Sequence, residues 1–248
     1  LDRQTSETVT LQDGTTSLVT TDYYKDGRVK SVTDPRGTTS YSYDGQGHEE
    51  TAVTSGGETR KSYYPDGLVK DITFPNGTKR AHGYDKADRL LTSVTTKDEA
   101  PVASTAYTYD SNGNRLIQVQ TNGGTEETTL YTYDDVDRLA TVTYAPDATN
   151  PNGRKVTYGH DGAGNRKTEV VTDPQTEAVL ESKTGHFDNA NRLTDLTDNL
   201  DATQTTTLGW DRNGNLLSET KAGVTTNYGY DLRDTLAEVE RGGQPLAR

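Results

Sequence analysis

The residues in this chain that are best suited to chemistry are aspartates that directly follow an aromatic or imidazole side chain. Eight such pairs recur: Tyr43-Asp44, Tyr84-Asp85, Tyr109-Asp110, Tyr133-Asp134, His160-Asp161, Phe187-Asp188, Trp210-Asp211 and Tyr230-Asp231. Two carboxylates about 5–10 Å apart can act as the acid and base of a glycosidase. Such a pair could exist by chance, but turn formation, described below, accounts for every copy of the repeating Asp.

A second candidate chemistry is calcium binding. Asp110-Ser111-Asn112-Gly113-Asn114 carries oxygen ligands at alternate positions, as a calcium loop does. An EF-hand loop needs Gly at position 6 and Glu at position 12, where this sequence has Arg115 and Thr121. A hairpin turn is therefore favoured here, and equally for the similar segment 211–215.

The third candidate is a metal site on histidine. Of His48, His82, His160 and His186, the last two fall beside the anchors of adjacent units and could approach each other across strands. A two-histidine site is the alternative to packing on strand faces. Since no nucleophile elbow, zinc helix or phosphate loop occurs either, the sequence predicts no enzyme, no catalytic residue, no metal ligand and no cofactor site.

Composition limits the fold that could position these residues. Hydrophobic residues make up 29% of the 248, whereas a typical domain has roughly 45–50%. The chain nevertheless has 15 Tyr and many Thr and Val residues, which suit a half-wetted pleated surface. We therefore predict ordered β-structure with thin apolar layers.

The charge and the cysteine and methionine content limit the classes of partner and the surroundings that the chain can have. The net charge of -12 argues against nucleic-acid binding, which needs clustered cations. There is no Cys for disulfides, and no apolar stretch reaches the roughly 18 residues of a membrane span, so no membrane insertion is predicted. Because Met is absent throughout, the chain is expected to be an interior piece of a longer polypeptide.

The aromatic-Asp pairs are the anchors of an internal repeat. Two further units, Tyr24-Lys25-Asp26-Gly27 and Tyr64-Pro65-Asp66-Gly67, are interpreted as anchors with a one-residue insertion, which gives ten units. Aromatic residues at i and i+2, such as Tyr41 and Tyr43, share one face of a strand. Asp, Asn and Gly after the anchor favour a tight reversal, so each unit is predicted to be a β-hairpin.

One spacing does not fit a regular strand. Leu139 and Val142 are three residues apart, as are Leu193 and Leu196. Such pairs cannot lie on the same face of a regular strand. Either a β-bulge or a Leu that still belongs to the turn is implied.

The predicted fold is all-β, with tandem antiparallel hairpins in a curled or spiralling ribbon. Ten units supply about twenty strands, and open sheets rarely exceed about 10 strands without curling. Residues 1–248 are predicted to form a single array, with ragged ends at 1–21 and 240–248.

The segments 109–116, 133–139 and 210–216 resemble the YD-repeat, or RHS-repeat, family, and the resemblance extends from about Asp22 to about Val239. It implies that the ribbon is part of a hollow shell, as in bacterial Rhs proteins and toxin-complex subunits, where the shell encloses a toxic C-terminal domain of the same polypeptide. Animal teneurins are similar, but the absence of Cys favours a bacterial origin. The implied partners are the remaining repeats and that C-terminal domain, and the implied location is secreted or at the cell surface.

The sequence lacks the family's self-cleavage region. Asp34-Pro35-Arg36-Gly37 has the letters of the cleavage site, but it lies in the first repeat and is interpreted as a Pro-Gly turn. The predicted function is therefore a non-catalytic structural segment of a shell around a toxin or other guest. The alternative is an adhesive surface whose exposed aromatic ladder, including Trp210, binds a glycan, a cell-surface ligand or a protein.

Overall fold

A computed structural model describes residues 3–10 and 16–247, and almost all of them belong to β-strands or the turns between strands. Residues 1, 2, 11–15 and 248, all in the predicted ragged ends, lie outside the described residues. Within the described part, no helix has the length and hydropathy of a membrane span. One 3-10 turn is present, at Ala202–Gln204.

The described residues contain 22 strands. The first eleven are β1 Ser6–Thr10, β2 Thr16–Tyr23, β3 Val29–Asp34, β4 Gly37–Tyr43, β5 Glu49–Thr54, β6 Gly57–Tyr63, β7 Val69–Thr73, β8 Thr78–Tyr84, β9 Leu90–Lys97, β10 Ala100–Tyr109 and β11 Arg115–Asn122. The others are β12 Thr125–Tyr133, β13 Leu139–Tyr144, β14 Arg154–His160, β15 Arg166–Thr172, β16 Val179–Phe187, β17 Leu193–Asp198, β18 Thr206–Trp210, β19 Leu216–Lys221, β20 Val224–Tyr230, β21 Leu236–Arg241 and β22 Gln244–Ala247.

The chain divides into two compact units, the first being Leu1–Thr108 with Gln118–Glu126 and the second Tyr109–Ile117 with Glu127–Arg248. In the first unit every strand from β1 to β10 pairs antiparallel with the next. In the second unit the same is true from β12 to β22. The prediction of tandem antiparallel hairpins is confirmed.

The irregular leucine spacing is caused by a β-bulge. Tyr133 lies opposite Leu139 while Thr132 lies opposite Thr141, so one extra residue stands between the two pairs. The pairing of β16 with β17 has the same shift, between Phe187 opposite Leu193 and the next pair. The bulge recurs after the anchor of most units because the backbone of the turn is the same in each.

The two faces of the strands have different chemistry. The face that carries the anchors, called here the anchor face, holds a row in which Tyr131, Val142, Val156 and Val171 are successive cross-strand partners. The three valines are 3%, 6% and 7% exposed, and they are the buried hydrophobic side chains of the described residues. This core is as thin as the low hydrophobic content predicts.

The opposite face is lined largely by hydroxyl groups, and we call it the hydroxyl face. Ser42 and Thr51 face each other across β4 and β5 with hydroxyl oxygens 2.7 Å apart. Thr132 and Thr141 form an equivalent pair at 2.7 Å. Cross-strand hydroxyl pairs of this kind stabilise a sheet at small gain per pair, so this face needs no apolar layer.

Candidate functional site

The ten anchor turns share one backbone geometry. The N–H of the first residue donates to the carbonyl of the fifth, and the N–H of the fourth donates back to the first, as at Asp134 to Arg138 (2.9 Å) and Asp137 to Asp134 (3.0 Å). The fourth residue always has positive φ, including 61° at Asp137. This is a type I turn closed by a residue in the left-handed region. The turns are 24–28, 44–48, 64–68, 85–89, 110–114, 134–138, 161–165, 188–192, 211–215 and 231–235.

Each of the eight anchor aspartates caps its own turn. One carboxylate oxygen accepts the backbone N–H groups two and four residues later, at 2.8–3.1 Å. In several turns the second oxygen accepts a side-chain donor from the fifth residue, for example Arg138 Nε on Asp134 at 2.7 Å and Asn165 Nδ2 on Asp161 at 2.9 Å. The carboxylates therefore serve as hairpin caps, and this holds for the calcium-like segments at Asp110 and Asp211.

The electrostatics of the caps favour the charged carboxylate. The backbone N–H of Arg138 lowers the pKa of Asp134, and the guanidinium of the same residue lowers it further. The side-chain amide of Asn165 and the backbone N–H groups lower the pKa of Asp161. A general acid needs a raised pKa, so these carboxylates are tuned for hydrogen bonding in the turn.

The aromatic partner in the motif links one hairpin to the previous one. Tyr43 donates its hydroxyl to the carbonyl of Val29 at 2.9 Å, and Trp210 donates Nε1 to the carbonyl of Leu193 at 2.7 Å. In each case the accepting residue lies opposite the previous anchor, beside the bulge. The same bond is made by Tyr63 and Tyr84, whereas Tyr23 donates to the carbonyl of Gln4, ahead of β1. Because a bulge interrupts the strand ladder, the aromatic group supplies a donor where the ladder is broken.

Not every anchor takes part in this ladder. Phe187 has no polar hydrogen, and His160 and Tyr230 occupy the same register, opposite Arg166 and Leu236, without such a bond among the described residues. Tyr133, opposite Leu139, does take part, because it forms a hydrogen bond with the backbone of Arg115. The position is therefore structurally constant even where its hydrogen bond is missing.

The interpretation of a one-residue insertion at Tyr24 and Tyr64 is wrong. Tyr23 lies opposite Val29, as Tyr43 lies opposite Glu49, so Tyr23 is the anchor of its unit and Tyr24 is the first residue of an ordinary five-residue turn. The cap comes from the third residue, since Asp26 accepts the N–H of Arg28 at 3.0 Å. The unit at Tyr63 and Tyr64 has the same arrangement.

The histidines form no common site. His160 is an anchor, whereas His186 lies one residue before an anchor, on the hydroxyl face, where its Nδ1 is 2.7 Å from Asp195. His48 pairs with its own cap, Asp44, at 3.1 Å, and burial lowers the pKa of His82. No group of three metal-ligating side chains occurs in residues 3–10 and 16–247.

Two further features bear on the predicted sites. The carboxylate of Asp34 accepts the N–H of Arg36 at 2.8 Å, and Asp34 lies opposite Gly37, so this segment is a two-residue turn. On the second unit a hollow of about 610 Å³ is lined by Tyr228, Val239, Leu246 and charged neighbours.

Comparison with known proteins agrees with the repeat. The family model for the RHS Repeat matches residues 23–60, 63–100 and 147–178. No curated protein matches the chain significantly.

Among solved structures, the crystal structure of TcdB2-TccC3 matches 92% of this chain with a TM-score of 0.64 and 16% identity. The match spans 14% of that chain, so the likeness concerns the fold of a short part of a much longer protein. A Tc holotoxin pore from Photorhabdus luminescens matches 96% of this chain and 18% of its own, at 13% identity and a TM-score of 0.37, too low to support an argument. The family match, the hairpin fold and the anchor turns agree, and the chain contains RHS repeats, which the family model recognises in three places.

Proposed function

We propose that this array is a wall segment of a longer bacterial polypeptide that is secreted or held at the cell surface, and that the wall encloses a guest polypeptide. The observation that carries the proposal is that the polar atoms of the repeated motif form hydrogen bonds within the array itself. The anchor carboxylates cap their own turns, and several of the anchor aromatics donate to the previous hairpin. A motif whose polar atoms bind its own array builds an extended surface.

The partners that fit this role are further repeats and a C-terminal domain of the same polypeptide. The chain spans only 14% of the protein whose fold it shares, which supports a place within a much larger assembly of strands. Repeat arrays are stabilised by contacts between neighbours. We therefore propose that residues 1–248 act as one array of ten units with more chain around it.

The adhesive alternative has less support. Trp210 is half-buried and donates its indole N–H to the backbone of Leu193. Tyr24 packs edge-on against Tyr43 with ring centroids 6.1 Å apart. Aromatic groups held in this way contribute to the contact between hairpins before they are available to a glycan.

Limited proteolysis of the full-length polypeptide tests the proposal. A segment enclosed by the wall should resist a protease while the array is intact. Val156→Asp places a charge in the buried valine row and should open the wall. Val136→Asp is the matched control, because Val136 is 67% exposed at the tip of a turn.

The proposal is supported if a segment outside the array resists digestion in the wild type and in Val136→Asp, and becomes cleavable in Val156→Asp. It is contradicted if that segment is digested at the same rate in all three proteins. The adhesive function would replace the wall proposal if the protein binds a glycan or cells and Trp210→Ala loses that binding while its β-structure is unchanged.

A further inference from the structure

The second unit contains two kinds of anchor turn, and they alternate along the chain. In the first kind, called here an amide turn, Gly is fourth and Asn is fifth: 110–114, 161–165 and 211–215. In the second kind, called here an acceptor turn, Asp or Asn is fourth: 134–138, 188–192 and 231–235. The order from residue 110 to residue 235 is amide, acceptor, amide, acceptor, amide, acceptor.

Each amide turn binds the fourth residue of the acceptor turn that follows it. Asn114 Nδ2 donates to Asp137 Oδ1 at 2.6 Å, and Asn112 Nδ2 donates to the same oxygen at 2.9 Å. At the last junction Asn215 and Asn213 donate to Asp234 Oδ1 at 2.8 and 3.1 Å.

The middle amide turn makes the same contact with one donor. Asn165 Nδ2 donates to Asn191 Oδ1 at 3.1 Å. The acceptor can therefore be a carboxylate or an amide, but it must carry a side-chain oxygen. The Gly at the fourth position of an amide turn has none.

The contact that an acceptor turn makes with the amide turn after it depends less on sequence. Arg138 Nη1 donates to the backbone carbonyl of Asp161 at 3.2 Å, and Arg192 Nη1 donates to that of Asp211 at 2.7 Å. Every anchor turn has a carbonyl at this position. An acceptor turn can therefore precede either kind, whereas an amide turn needs an acceptor turn after it.

We propose that the edge formed by these turns is a recognition surface between hairpins, on which an amide turn accepts only an acceptor turn as its next neighbour. The partner that fits this surface is a hairpin whose turn has Asp or Asn at the fourth position. The unit that can be added to or removed from the array is then a pair of hairpins, ending on an acceptor turn.

Matched substitutions at the fourth position provide the first test. Asp88 and Asp137 both have φ of 61° and both are exposed, but no amide turn precedes Asp88 and its side chain makes no hydrogen bond in the described residues. Glycine relieves the backbone strain at both positions. We expect Asp88→Gly to leave the Tm unchanged or raise it, and Asp137→Gly to lower it by about 3–6 °C through loss of two hydrogen bonds.

Asp137→Asn is the conservative variant, and it should stay within about 2 °C of the wild type because Asn191 is a natural acceptor at the equivalent place. Thermal unfolding followed by circular dichroism gives all three values. Equal shifts for Asp88→Gly and Asp137→Gly would overturn the proposal, as would a loss in Asp137→Asn as large as in Asp137→Gly.

Deletions test the pairing rule directly. Removal of residues 134–160 joins Tyr133 to Asp161 and places two amide turns next to each other. Removal of 134–187 joins Tyr133 to Asp188 and restores an acceptor turn, although it removes all three buried valines. If stability simply grows with the number of repeats, the longer deletion must be the less stable.

The recognition proposal expects the reverse order, with the 134–187 deletion melting at the higher temperature. Removal of 161–187 is a control that equals the shorter deletion in length and leaves no amide turn beside another. It should also melt above the 134–160 deletion. A 134–160 deletion that melts above either of the other two would contradict the proposal, and the point substitutions decide the matter if any deletion fails to fold.

Discussion

Two turns of the first unit, 24–28 and 64–68, and the turns of the second unit make the same backbone hairpin with different side chains. At Tyr24 and Tyr64 the cap is the third residue, and the tyrosine hydroxyl reaches forward to the backbone carbonyl of Tyr41 or His82, at 2.9 and 3.0 Å. In the second unit the cap is the first residue. The link to the next turn then runs from an asparagine amide or an arginine, at 2.6–3.2 Å.

This difference teaches that turn formation and neighbour contact are separable. A tyrosine that donates to a backbone carbonyl can form its hydrogen bond with a neighbouring hairpin of any sequence, since every residue has a carbonyl. An asparagine that donates to a side-chain oxygen distinguishes between neighbours. The first unit therefore has uniform links between its hairpins at these turns, while the second has links that depend on sequence.

The largest expected effect is the loss of stability when a core valine is truncated. It tests whether the core of the second unit is packed better than that of the first. Val156 is 6% exposed, whereas Val32 in the first unit is half-buried on the anchor face opposite Thr21 and Thr39. Val156→Ala should lower the free energy of unfolding by about 2 kcal/mol, and Val32→Ala by about 1 kcal/mol. Urea unfolding measures both, and equal losses would show that the valine row is no more important than an ordinary strand contact.

A smaller effect separates the two ways to cap a turn. The carboxylate of Asp161 accepts two backbone N–H groups and the Asn165 amide. Within the described part of the chain, Asp66 accepts only the N–H of Leu68, at 3.1 Å. We expect Asp161→Ala to lower the Tm by about 3–5 °C and Asp66→Ala by about 1–2 °C. Calorimetry of the two variants measures the difference, and a larger loss at Asp66 would reverse the comparison.

The sequence predicted the parts of this structure that depend on residues close together in the chain. Asp followed by Gly or Asn is sufficient for a tight turn. The three-residue spacing of Leu139 and Val142 left a bulge or a leucine still in the turn, and the structure has the bulge. The thin core followed from composition. All of these are local chemistry, or sums over the chain.

The prediction from sequence was wrong where two different arrangements of side chains produce the same turn backbone. Tyr23-Tyr24 offers two candidate anchors, and the position of Asp26 favoured the wrong one. The constant separation of four residues between the aromatic anchor and the glycine, as in Tyr23 to Gly27 and Tyr43 to Gly47, was the signal that could have decided it. The turn-to-turn contacts could not be predicted in this way, since they depend on which turns become neighbours and on how far each side chain reaches.

Acid should act on the caps of the second unit through their carboxylates. The pKa of Asp161 is lowered from its ordinary value of 3.8 by the Asn165 amide and the backbone N–H groups. A lowered folded-state pKa contributes stability that is complete above the unfolded-state value and is lost as the pH falls through the folded-state value. Asp161→Asn should therefore melt below the wild type at pH 7, and the gap should shrink as the pH falls below about 4.

The control for the acid experiment is Asp135→Asn, which removes a carboxylate from an exposed position in the middle of a turn. It should show no comparable change in its gap to the wild type between pH 7 and pH 3. A gap for Asp161→Asn that is constant over this range would mean that the charge of the cap contributes nothing beyond the acceptor oxygen.

The smallest expected effect is a gain of stability, and it tests the aromatic ladder that both units share. By the rule that places Trp210 on Leu193 and Tyr63 on Glu49, the carbonyl for the anchor Phe187 is that of Arg166, which lies opposite His160. Phenylalanine has no donor for it. We expect Phe187→Tyr to raise the free energy of unfolding by about 1 kcal/mol and Tyr63→Phe to lower it by about 1 kcal/mol. An anchor hydroxyl stabilises the protein only if a carbonyl beside the bulge is free to accept its hydrogen bond. A loss of stability in Phe187→Tyr would therefore limit the ladder to those units in which the hydrogen bond is already present.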